Sequence, residues 1–104
     1  KNSIKMGKKS LAFNDAQEMA IKYPKTFEAP TKEDLDNLKV GDFVKVSVVV
    51  PNRTDGMPES ERFWTEITSI ENDVIKAKVS NDLLCIDLKY QEEISFNKKH
   101  IYST

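Results

Sequence analysis

Between Phe43 and Val50 the chain alternates strictly, with Val44, Val46, Val48 and Val50 on one side of an extended segment and Lys45 and Ser47 on the other. Valine suits a pleated, half-buried surface, so this stretch is a strand with one face committed to a core. It needs partners, and the sequence downstream offers them. Arg62–Glu71 carries Phe63, Ile67 and Ile70 at a spacing that also fits a helix, but its Thr, Ile, Phe and Trp content favours a strand. Asn72-Asp73 decides for the strand: both residues tolerate positive φ, and they stand before a second alternating run in which Ile75, Ala77 and Val79 oppose Lys76 and Lys78. Asn81-Asp82 repeats that turn chemistry ahead of a short segment in which Leu84, Ile86 and Leu88 alternate with Cys85 and Asp87. Ile94 and Phe96 define a last strand, and Asn97-Lys98-Lys99 turns before Ile101.

Two short helices are predicted upstream. Asn14 is a good N-cap, Asp15 and Glu18 suit the positive end of a helix dipole, and Ala16, Met19, Ala20 and Tyr23 recur at helical spacing until Pro24 stops the run, giving a helix over about 15–23. Thr31 with Asp34 makes a capping box, and Leu35 and Leu38 share one face of a second helix that must dock on something larger. The expected fold is therefore α+β: two short N-terminal helices followed by a small, strongly bent antiparallel sheet of four to five strands, an SH3-like or OB-like partial barrel that protects its edges. Residues 1–13 read as a flexible arm and 14–104 as a single domain, a size that supports one core without disulfides or metal.

Charge excludes more than it suggests. Sixteen Lys and Arg against seventeen Asp and Glu leave a formal net charge of −1, with no bulk positive field for nucleic acid or anionic lipid. No apolar run is long enough for a membrane span, so cytoplasmic residence is expected; the opening residue is Lys1, which leaves room for a removed leader. A single cysteine, Cys85, and a single histidine, His100, argue against an internal disulfide, a zinc site and cysteine–histidine catalysis, so no metal and no cofactor are expected. Cys85 reads as a small packed residue and His100 as an exposed turn residue.

The remaining motifs are weak. Gly7-Lys8-Lys9-Ser10 ends like a phosphate-binding loop, but it lacks the upstream glycine and no strand precedes it. Glu59, Glu61, Glu66, Glu71 and Asp73 crowd the middle of the chain as solvated faces and turns would require. Glu66 differs because it stands two residues from Trp64 and projects from the same face of the strand, where a carboxylate beside an indole could meet a ligand. Lys45, Lys76 and Lys78 share strand faces and could form a modest stripe for nucleic acid, although Phe63, Trp64 and Phe96 are flanked in sequence mainly by acids.

The ordered series Val40-Gly41-Asp42-Phe43-Val44-Lys45-Val46, Arg62-Phe63-Trp64-Thr65-Glu66-Ile67, Asn81-Asp82, Asp87-Leu88-Lys89 and Ile94-Ser95-Phe96 resembles the YegJ-like family of bacterial domains of unknown function over about residues 38–103. The chain departs from that pattern at Tyr90-Gln91-Glu92-Glu93, at Leu83 and at Ile101-Tyr102. The resemblance implies a compact bacterial or phage-borne domain and no established activity. The leading functional expectation is a non-catalytic, inhibitor or immunity-like module that recognises a protein partner through Trp64, Glu66, Asn81 and Lys89. Its alternatives are a small-molecule or enzymatic pocket using Glu66 and Lys89, and weak nucleic-acid binding through the lysine stripe.

Overall fold

The computed structural model describes residues 11–51 and 53–104. The first ten residues, including Gly7-Lys8-Lys9-Ser10, lie outside the described residues. In chain order come α1 (Ala16–Lys22), α2 (Lys32–Asp36), β1 (Phe43–Val49), β2 (Ser60–Glu71), β3 (Val74–Val79), β4 (Glu93–Asn97), a 3-10 turn (Lys98–His100) and β5 (Ile101–Ser103). The strands form one five-stranded sheet in the order β4-β3-β2-β1-β5, every pair antiparallel.

Alternation becomes burial as the pattern requires. Val44, Val46 and Val48 of β1 pack with Phe63 and Ile67 of β2, Ile75, Ala77 and Val79 of β3, Phe96 of β4 and Ile101 of β5 in one core. Full burial of a side chain such as Phe63 contributes about 1.5–3 kcal/mol. Leu35 of α2, and Ile86 and Leu88 of the segment between β3 and β4, join the same cluster. The β2–β3 hairpin turns at Asn72, whose φ of 57° is the left-handed conformation an asparagine tolerates.

The sheet is curled. Phe13 bridges to Val48 on the edge of β1, yet its ring lies 5.6 Å from that of Phe96 in β4, the strand at the far side of the sheet. The 3-10 turn carries the chain from one edge strand to the other in three residues, which only a strongly bent sheet permits.

The α+β expectation, with two N-terminal helices ahead of an SH3-like or OB-like partial barrel, is corrected by the observed balance of elements. The sheet dominates; the helices have seven and five residues and form no layer of their own. Helical turns are also not confined to the N-terminal side, because Lys98–His100 stands between the last two strands. The strands differ as well: the alternating Leu84–Leu88 segment is irregular, and the fifth strand is Ile101–Ser103. The cause is Glu61. Its carboxylate accepts N–H bonds from Leu84 (2.9 Å), Cys85 (2.8 Å) and Ile86 (3.2 Å), so three successive amides curl round one side chain instead of alternating along a ladder.

Capping shows a similar shift. Asp15, not Asn14, caps α1 by accepting from the Glu18 N–H. Asn14 is engaged with the sheet instead: its backbone N–H and its Nδ2 donate to the carbonyl and the hydroxyl of Ser47, each at 2.9 Å. Ser47 is consequently buried although it lies on the polar side of β1. Thr31 and Asp34 form the reciprocal capping box of α2, whose single turn places Leu35 on the core.

Candidate functional site

On β2 the side opposite the core presents Arg62, Trp64 and Glu66, and the register sets them across from Ser47, Lys45 and Phe43 of β1. Lys45 Nζ lies 5.1 Å from the centre of the Trp64 ring. Lys78 of β3 stands opposite Glu66 on the other flank. Trp64 is half-buried and Phe43 is 51% exposed, so a partly covered indole and an open phenyl ring stand on adjacent strands among charged groups.

Of the residues singled out from the sequence, Trp64 and Glu66 share this face. Asn81 is tied to the same strand from behind: its Oδ1 accepts the Trp64 N–H at 2.6 Å, while the Ser80 N–H donates to the Trp64 carbonyl at 2.9 Å. These bonds continue the β2 pairing past the end of β3 and hold the Trp64 backbone. Lys89 is exposed in the segment between β3 and β4, where its N–H donates to Glu92 Oε1 at 2.9 Å. No ion pair joins Lys89 to Glu66 among the described residues.

His100 is not an exposed turn residue. Its Nδ1 accepts the Asn97 N–H at 3.0 Å, and its ring stacks on Phe13 with centroids 5.4 Å apart. Burial, reinforced by Lys99 and opposed by Asp15, holds the imidazole below its ordinary value of 6.5, so it is kept neutral as an acceptor. Lys99 meets Asp15 at 3.9 Å across the same junction. Cys85 is half-buried against the core.

Sequence reading missed Tyr102 and Arg62. Tyr102 is buried on the outer side of the sheet under Phe27, with ring centroids 4.9 Å apart, and the Arg62 guanidinium lies 4.9 Å from its ring centre. Burial raises the Tyr102 phenol above its ordinary value, against a hydrogen bond with Ser47 and the nearby Arg62 charge, which lower it. The signal for Arg62 was present in the alternation, since it stands two residues before Trp64. Tyr102 needed the register of β5.

No family model, curated protein or solved structure matches this chain. The chemistry must therefore be read from the geometry. Among the described residues no group of three or more His, Cys, Asp or Glu side chains is placed to hold a metal ion, and no helix is long and apolar enough to cross a membrane. A groove of about 450 Å³ runs along β4 beside Phe13, Ile94, Phe96 and His100, and neither Trp64 nor Glu66 lines it. What the outer face offers is contact area: a rigid sheet carrying an indole, a phenyl ring and a rim of charge.

Proposed function

We propose that this chain is a non-catalytic protein-binding module of the inhibitor or immunity-like kind, a YegJ-like domain whose partner meets the outer face of the sheet at Trp64. The observation that carries the reading is Trp64 itself, half-buried on a central strand, ringed by Lys45, Arg62 and Glu66 and bordered by exposed Phe43. Tryptophan, tyrosine and arginine dominate the few positions that supply most of the affinity in protein interfaces. A sheet also fixes those side chains before binding, which lowers the ordering cost.

The test couples affinity capture to measurement with the purified partner. Trp64→Ala should leave the folded spectrum intact and weaken the partner by more than about tenfold, as expected for a central aromatic anchor. Retention of every captured partner at undiminished affinity by a folded Trp64→Ala protein refutes the proposal.

A further inference from the structure

We propose that the partner's contacting segment is acidic, because the outer face continues from Trp64 into a strip of cations held over aromatic rings. The inference rests on the reading of Trp64 as the centre of an interface and adds the chemistry of what docks there. Three cation–ring pairs define the strip: Lys45 over Trp64 at 5.1 Å, Arg62 over Tyr102 at 4.9 Å and Lys22 over Tyr23 at 5.8 Å. Register makes the first two pairs neighbours, since Lys45 faces Trp64 and Ser47 faces Arg62 along one side of β1 and β2. The third arrives from the end of α1. There Lys22, Tyr23, Arg53, Arg62 and Tyr102 line a groove of about 490 Å³ between the helix and the β1–β2 corner.

Glu59 is the one carboxylate lining that groove, and it stands 3.6 Å from Arg53. Lys22 and Arg62 make no ion pair among the described residues. The groove sets three cations, Lys22, Arg53 and Arg62, against Glu59 alone, and Lys45 and Glu66 both stand beside Trp64. On a chain whose formal net charge is −1 the strip thus carries four cations against two acids, a local asymmetry rather than a consequence of composition. Tyr102 is anchored beneath Phe27, which fixes the plane on which the Arg62 fork rests. A planar guanidinium held in this way pairs with carboxylates at two points. The rings already carry the protein's own cations, so a stacking nucleobase would have to displace them, whereas a carboxylate adds to the arrangement as it stands. Such complementarity raises the association rate and selects the partner more than it raises affinity.

A polyglutamate peptide of about ten residues is the probe, followed by the emission of Trp64, the one tryptophan of the chain, at low ionic strength and again at about 0.15 M salt where screening is strong. Saturable binding is expected that weakens with salt, falls about tenfold or more in Arg62→Glu and in Lys22→Glu, and persists in Lys39→Glu. Using two separate reversals guards against one of them disturbing the fold. Absence of binding, equal binding by the reversed variants, or tighter binding of an oligothymidylate of the same charge would each overturn the inference, the last in favour of nucleic acid. If Trp64→Ala abolishes capture of a protein partner while polyglutamate never binds, the acidic-segment inference falls and the protein-binding reading stands; the opposite pattern separates them the other way.

Discussion

Replacing Glu61 by alanine should remove the acceptor for three successive backbone N–H groups while leaving those groups in place. The bonds from Leu84, Cys85 and Ile86 measure 2.9, 2.8 and 3.2 Å, and the last two are partly shielded from water. A hydrogen bond to a charged group contributes about 1.5–3 kcal/mol, and amides that regain water recover part of it. Glu61→Ala should therefore cost about 3 kcal/mol in all, because Ile86 and Leu88 lose their seat on the core together with the loop. Glu61→Gln separates charge from geometry. Oε1 accepts from both Cys85 and Ile86, so a glutamine oxygen in that place keeps two of the three bonds and should limit the loss to about 1 kcal/mol. Urea titration followed by Trp64 fluorescence gives the global values, and amide exchange at Cys85 and Ile86 gives the local one. An alanine variant with wild-type midpoint and undiminished protection at both amides would refute the reasoning, as would a glutamine variant no better than alanine.

Asn81→Ala removes the acceptor at 2.6 Å from the Trp64 N–H and should cost about 1–2 kcal/mol in urea titration with an unchanged denaturant slope. Gln91 holds φ at 72°, a conformation that costs a side-chain-bearing residue about 1–2 kcal/mol and glycine almost nothing, so Gln91→Gly should stabilise the protein by about 1 kcal/mol in spite of the added backbone entropy of its unfolded chain. For His100 the folded pKa lies below the unfolded value of 6.5, so the unfolded state binds more protons in this window. Its contribution is complete above about pH 6.5, declines as pH falls from there, and levels off below the folded pKa. Melting temperatures of wild type and His100→Gln across that range should converge as pH falls; a constant difference between them would count against the assignment.

Local chemistry was legible where a residue's conformation depends on its near neighbours. The β1 alternation, the Asn72 turn and the Thr31–Asp34 box each satisfy their requirements within a few residues, and the structure contains all three. The Leu84–Leu88 segment shows where that logic stops: its pattern is as regular as that of β3, yet a carboxylate more than twenty residues earlier captures its amides. His100 fails for the same kind of reason, since the ring that covers it belongs to Phe13.

The outer face divides in the same way. Period-two spacing alone places Arg62, Trp64 and Glu66 on one side of a strand, because successive side chains of an extended backbone point in opposite directions. Sequence neighbours made the tryptophan look acidic in its surroundings, whereas pairing with β1 sets Lys45 across from it and the end of α1 brings Lys22 toward Arg62. The charge a partner meets is a sum over space, and the folding of distant segments onto one sheet determines which charges enter that sum.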